Sequence, residues 1–367
     1  MRKLFLIIFA SAAFLSLWAC RDPIFYHISL EEKILEPKIQ GSPTQFVVYN
    51  DKMYVASGTN MYEYSGTDAS RDDRGIWNSF SPGGRILNIT VAGSLYILCE
   101  ESGKAVIKKL DSNGAWRALD SRNFSVRSIY GANGTLFIGA SDLSKSYIFY
   151  GDNLQLLTET GNKLLNGVSH NGTYYYMSAK ELEKAVGDIY FSDNALAGVS
   201  SFNTAIPFMG IINLKNSSNT TVAIDLNGKL YAVGSGINEI ANMGDYLATG
   251  ALAIYESNGS RLLLAGRQDK LDTSATSGYT YGYLEIVISA AGVVGSEFIE
   301  PGINSPSTVT IGDNGRYKST IGKNPVNHIF QVPLTIDRCM TLFASTQKNG
   351  VWSYRDRDGV QHWNAEQ

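Results

Sequence analysis

The feature that most restricts this chain is a repeat. A short apolar strand is followed by a turn, a second strand with an aromatic near its start, a third strand, and a fourth that often holds Trp. The unit occurs seven times, over residues 45–80, 86–119, 126–158, 164–202, 208–242, 251–300 and 327–363. With Tyr54, Tyr96, Phe137, Tyr175, Ala223, Leu263 and Phe343 as equivalent positions, the spacings are 42, 41, 38, 48, 40 and 80 residues. Strand junctions hold Asn113-Gly114, Asn133-Gly134, Asn171-Gly172, Asn227-Gly228, Asn258-Gly259, Asn349-Gly350 and Asp358-Gly359. Such pairs supply the positive φ angles of type I′ turns, whose twist matches that of paired strands. The 36 Gly, 21 Tyr and 15 Phe favour strands and tight turns over helices.

A lone four-stranded antiparallel sheet exposes two apolar faces and two edges. Radial stacking buries the faces and leaves only short outer edges. The expected fold is therefore all-β: a seven-bladed β-propeller over residues 44–367. The doubled last spacing makes an eight-bladed ring the second reading, with residues 302–325 as the disputed stretch. Closure is expected from blade one packing on blade seven, or from a lead-in strand around Ile24–Ile28. Trp77, Trp116 and Trp363 are expected between blades, and Cys99 and Cys339 as free thiols rather than a disulfide.

Residues 1–19 read as a signal peptide: Arg2-Lys3, then an apolar run from Leu4 to Leu17 that is short for a membrane span. Leu17-Trp18-Ala19-Cys20 resembles the lipobox of bacterial lipoproteins in a relaxed form familiar from spirochaetes. That resemblance implies acylation of Cys20, with residues 20–43 as a tether and lead-in. Asp22-Pro23-Ile24-Phe25-Tyr26, together with Leu342-Phe343-Ala344-Ser345, Gly350-Val351-Trp352 and Trp363-Asn364, is similar to uncharacterised treponemal β-propeller lipoproteins. The resemblance implies a fold and an envelope location, not a reaction. Without Arg2 and Lys3 the chain carries 29 basic and 34 acidic residues. That balance argues against nucleic acid and gives no charge-driven attraction to anionic lipid.

No catalytic or metal-binding motif emerges. His27, His170, His328 and His362 are scattered, and no nucleophile motif or Gly-x-Gly-x-x-Gly run occurs. No cofactor is expected. The longest connections are 179–186, 267–281 and 301–325; all fall on one propeller face, with 66–74 on the other. Long loops on a rigid scaffold are where binding concentrates. Arg267, Asp269, Lys270, Tyr279, Tyr281, Arg316 and Tyr317 are the candidate ligand-binding residues, since Arg and Tyr are over-represented at interfaces. The expected function is that of a lipid-anchored, non-catalytic, adhesin-like envelope protein with a protein or glycan partner. A periplasmic scaffold in outer-membrane assembly and a sialidase-like carbohydrate enzyme are the alternatives.

Overall fold

Every regular element among the described residues is a β-strand. The computed structural model describes residues 38–366, except 69–73, 120–123, 143–145, 161–162, 171–172, 180–187, 193–199, 203–205, 219, 258–259, 270–280, 300–324, 338–340 and 358–359. Blade 1 is β1 (Val47–Tyr49), β2 (Lys52–Ser57), β3 (Asn60–Asp68) and β4 (Arg74–Phe80). Blade 2 is β5 (Arg85–Val91), β6 (Leu95–Glu101), β7 (Lys104–Leu110) and β8 (Trp116–Ala118). Blade 3 is β9 (Ser125–Ala132), β10 (Thr135–Ser141), β11 (Ser146–Tyr150) and β12 (Gln155–Thr160). Blade 4 is β13 (Lys163–His170), β14 (Thr173–Ala179), β15 (Asp188–Ser192) and β16 (Ser200–Ser201). Blade 5 is β17 (Phe208–Asn213), β18 (Thr221–Asp225), β19 (Lys229–Val233) and β20 (Ile237–Asn242). Blade 6 is β21 (Tyr246–Ser257), β22 (Ser260–Asp269), β23 (Tyr281–Ser289) and β24 (Gly292–Ile299). Blade 7 is β25 (Val326–Gln331), β26 (Leu342–Thr346), β27 (Val351–Arg357) and β28 (Val360–Ala365).

Within each blade the strands pair in sequence order and antiparallel. Blades 5 and 6 are also joined at their outer strands by one parallel pair, Asn242 with Glu297. The seven meanders are thus the described part of the propeller, and the stretch invoked for an eighth blade lies outside the described residues, Pro325 excepted. The turns refine the hairpin reading. Of the four described Asn-Gly junctions, only Asn133-Gly134 has both φ angles positive, at 46° and 75°. At Gly114, Gly228 and Gly350 the glycine alone takes the left-handed conformation.

Alternation along each second strand sends successive side chains to opposite neighbours. Met53 and Val55 face blade 7, whereas Tyr54 and Ala56 face blade 2. Tyr96 and Leu98 pack against blade 3, Phe137 against blade 4, and Tyr175 and Met177 against blade 5. Val222 and Ile224 pack toward blade 6, and Leu262 and Leu264 toward blade 7. Two supposed equivalents are corrected here: Ala223 and Leu263 face the preceding blade, not the following one. A one-residue phase error reverses the face, and the consecutive apolar residues Val222–Ile224 and Leu262–Ala265 hide the alternation at the centre of these strands.

The ring closes where blade 7 meets blade 1. Phe343 lies 5.0 Å from the Tyr64 ring and 5.5 Å from that of Trp77, edge-on to both, with Phe46 at 5.9 Å. Ile39, Met53 and Val351 complete this core, all fully buried. Residues 38–41, assigned above to the lead-in, are part of the seam: Val351 N donates to Ile39 O (3.1 Å) and Gly350 N to Gly41 O (3.0 Å). The proposed strand at Ile24–Ile28 lies outside the described residues. Trp77 and Trp363 are buried between blades, and Trp116 packs, partly buried, at the blade 1–2 junction. Cys99 is a free buried thiol; Cys339 lies outside the described residues.

Candidate functional site

Strand order fixes which connections share a face. Links between blades and the turns joining second to third strands lie on one side, here called the link face. The remaining turns lie on the other. Local bonds bear this out: Ile86 N donates to Gly58 O (2.8 Å) and the Ser81 hydroxyl to Thr59 O (2.9 Å), tying the link after blade 1 to the β2–β3 turn. The β14–β15, β22–β23 and β24–β25 connections all leave from the link face, while β3–β4 belongs to the opposite face. The bodies of the three long connections lie outside the described residues.

Blade 6 carries the candidate residues that are described. Arg267, Asp269 and Tyr281, expected in a long connection, are strand residues. The ladder runs on through Arg267 with Gly282 and Gln268 with Tyr281, and Asp269 pairs with Tyr246. Arg267 is only 3 % exposed. Its guanidinium carbon stacks 4.3 Å from the Tyr246 ring centroid, and its Nε donates to Tyr281 O at 3.4 Å. A guanidinium stacked on an aromatic face gains a cation–π interaction while giving up little hydration. Arg267 therefore braces the base of the connection and does not project from it. Lys270, Tyr279, Arg316 and Tyr317, like Cys20, lie outside the described residues.

The structure adds a set of positions that residue-type reasoning passed over. The first strands of blades 2, 3, 4, 5 and 7 each carry one extra residue opposite the second strand: Leu87, Arg127, Leu165, Met209 and Asn327. In blade 6 the excess is larger, with Thr249-Gly250-Ala251 opposite Gly266 alone. A side chain at Gly266 would place its Cβ 2.2 Å from Thr249 Oγ1, so glycine is required there. First strands start on the link face, so these bulges form a circle near that end of the channel. Bulges re-aim side chains and recur beside functional sites. Leu87 is 44 % exposed and Arg127 is exposed, its Nε donating to Ser141 Oγ at 3.1 Å. The sequence does hold a signal: apolar residues three apart around a small or polar one, as in Ile86-Leu87-Asn88-Ile89 and Phe208-Met209-Gly210-Ile211.

Polar residues on or just before the first strands stitch neighbouring inner strands together. Asn88 Nδ2 donates to Ile129 O (3.0 Å), Gln45 Nε2 to Ile89 O (2.6 Å) and Thr249 Oγ1 to Val326 O (2.7 Å). His328 follows the blade 7 bulge. Loss of hydration lowers its imidazole to about 4, so the ring is neutral at physiological pH.

The other polar groups work as staples between elements. Glu366 is buried between two blades; Trp77 Nε1 donates to its Oε2 at 2.6 Å and the Ser353 hydroxyl to its Oε1. Asp337 Oδ2 accepts from the Tyr64 hydroxyl (2.7 Å) and from Thr341 (2.6 Å). Across blades 2 and 3, Asp152 accepts from Tyr96 (2.7 Å) and Lys109 (2.6 Å). Partial dehydration works to raise the Asp152 carboxyl, but the bonds from Lys109 and Tyr96 outweigh it and hold the group below its usual range. Burial, then Asp152, raises the Tyr96 phenol. Burial also raises the Tyr231 phenol, to about 12, with Asp225 beside it. The Cys99 thiol is pushed up by burial, which makes it a poor nucleophile. Among the described residues no group of three or more His, Cys, Asp or Glu is placed to hold a metal ion.

No protein-family model and no curated protein matches this sequence. Solved structures do. The fold is a β-propeller. The chain is similar to the WD40 β-propeller domain of Doa1, at 10 % identity and a TM-score of 0.55 over 89 % of this chain and 97 % of that one. It is also similar to a streptogramin B lyase, at 11 % identity and a TM-score of 0.51, covering 87 % and 95 %. A third similar structure is a catalytically inactive virginiamycin B lyase from Staphylococcus aureus with quinupristin, at 10 % identity and a TM-score of 0.51, covering 87 % and 97 %. Identities this low speak for the fold alone.

Proposed function

We propose that this chain is a lipid-anchored cell-envelope propeller that binds a protein or glycan partner without transforming it. The observation that carries this reading is topological: three long connections leave a closed ring on one face, around a circle of bulged inner strands. Four carboxylates among the described residues support it. Glu366, Asp337, Asp152 and Asp225 are each held by aromatic hydroxyls, Trp, Ser or Lys. Carboxylates so engaged brace the blades. The anchor rests on the lipobox-like Leu17-Trp18-Ala19-Cys20.

The test uses the full-length chain purified from solubilised envelopes. One variant replaces residues 270–280 by a short Gly-Ser turn joining Asp269 to Tyr281. Another is Cys20→Ala. The reading predicts that the loop variant keeps its circular-dichroism spectrum and loses its co-purifying partner, and that Cys20→Ala loses the acyl mass. An unchanged partner set, or an unacylated wild-type Cys20, would contradict it. The periplasmic-scaffold reading is favoured by one observation: the chain joins the ring on the same face that carries the long connections.

A further inference from the structure

Four Asn-Gly pairs sit in described turns, and their glycine amides are not equally held. Gly114 N donates to Asp111 O (3.0 Å), Gly228 N to Asp225 O (3.1 Å) and Gly350 N to Gly41 O (3.0 Å). Two of the asparagines are also tied down. Asn113 Oδ1 accepts from Ala115 N at 3.0 Å. Asn349 O accepts from Trp352 Nε1 (2.9 Å) while Asn349 N donates to Thr346 Oγ1 (2.9 Å). Gly228 and Gly350 are buried as well. The β9–β10 turn differs. Asn133 and Gly134 are both exposed, and neither the Asn133 side chain nor the Gly134 amide has a hydrogen-bond partner among the described residues. The type I′ geometry accounts for this. The turn is spanned by the flanking pair Ala132 and Thr135, which leaves the amide of the second central residue to water.

We propose that Asn133 is a site of deamidation in the folded protein, and that hydrogen bonds protect the other three turns. The Gly134 nitrogen, losing its proton to water or hydroxide, attacks Asn133 Cγ. The new C–N bond closes a cyclic imide, and Nδ2 takes up a proton and leaves as ammonia. Water then opens the ring at either carbonyl, giving aspartate or isoaspartate, so the net change consumes one water and releases one ammonia. Glycine favours the step because no side chain hinders its nitrogen. An amide held by a carbonyl neither gives up its proton nor turns toward the asparagine side chain until the turn opens. The two products act differently. Aspartate tolerates left-handed backbone and adds only a negative charge. Isoaspartate lengthens the main chain inside a two-residue turn. That turn touches both neighbouring blades. Gly134 O lies 3.8 Å from where a Cβ on Gly93 of blade 2 would stand, and the Thr135 hydroxyl lies 3.4 Å from that of Tyr174 in blade 4. The modification therefore strikes where three blades meet, on the face opposite the long connections.

The test incubates the full-length protein in mildly alkaline buffer, either folded or unfolded in guanidinium chloride. Tryptic peptides whose fragment ions localise each asparagine are followed by mass spectrometry, and isoaspartate is scored by enzymatic methylation. In the folded protein, Asn133 is expected to deamidate faster than Asn113, Asn227 and Asn349 by at least about fivefold, the factor set by the net worth of one hydrogen bond. Unfolding is expected to remove that lead by releasing the other three amides. Equal rates in the folded protein, a faster loss at any of the other three, or an Asn133 lead that survives unfolding overturns the proposal.

Discussion

Glu366 shows how one residue can matter more than its type suggests. At the sequence level it is one acid among 34, the last but one residue of the given sequence. In the fold its carboxylate joins Trp77 of blade 1 to Ser353 of blade 7. Glu366→Ala removes the acceptor that a buried indole N–H and the Ser353 hydroxyl share, so a loss of about 2–4 kcal/mol is expected from urea unfolding. Glu366→Gln keeps one acceptor and should cost about 1 kcal/mol. Equal midpoints for the two variants would show that the staple contributes little. Gly131 is the steric counterpart. A Cβ there would come 1.9 Å from Val91 O on the neighbouring inner strand, so Gly131→Ala should destabilise by at least about 1–3 kcal/mol in the same measurement. His328 adds a pH dependence. Its folded pKa is depressed, so the unfolded chain takes up the proton first as pH falls. Stability should be level above pH 6.5 and decline from there to about 4. A shift from 6.5 to about 4 makes about 3 kcal/mol the ceiling. His328→Gln should flatten that limb of a stability–pH curve; an unchanged limb would assign it to other groups. The roles of Glu366 and Gly131 could not be read from residue type, because each depends on which strand from another blade stands opposite.

At the level of elements, much more was legible. The seven meanders follow the alternation, the aromatic starts and the Gly turns, all of which act within about 40 residues. Two features escaped. The second strands of blades 5 and 6 are apolar on both faces, so the equivalents at Ala223 and Leu263 were assigned one residue out of phase. The first-strand bulges were hidden because an extra residue reads as an ordinary break in alternation. Their structural weight can be tested on Leu87. Leu87→Ser alters an exposed side chain and should shift stability by no more than about 0.5 kcal/mol. Deleting Leu87 instead moves Arg85 and Ile86 to opposite faces and takes Ile86 out of the blade 1–2 core. The deletion should lose several kcal/mol or fail to fold, whereas two similar denaturation curves would mean that the bulge is dispensable.

Across the whole molecule, the described contacts that shut the ring are packing and hydrogen bonds between blade 7, blade 1 and residues 38–41. A shared face for the long connections exists only in a closed ring. The sequence anticipated that blade 1 would pack on blade 7, since the end units must bury the same apolar faces as the others. It did not show that residues 38–41 take part, because pairing between positions more than 300 residues apart leaves no local pattern. Native-state hydrogen exchange at the amides of Gly350, Val351 and Glu366, which bond to Gly41, Ile39 and Val351 respectively, tests closure most directly. A shut ring predicts that these amides exchange as slowly as those of β10 in the middle of the chain, through global unfolding. Exchange at the rate of exposed turns, with β10 still protected, would mean that the ring is open.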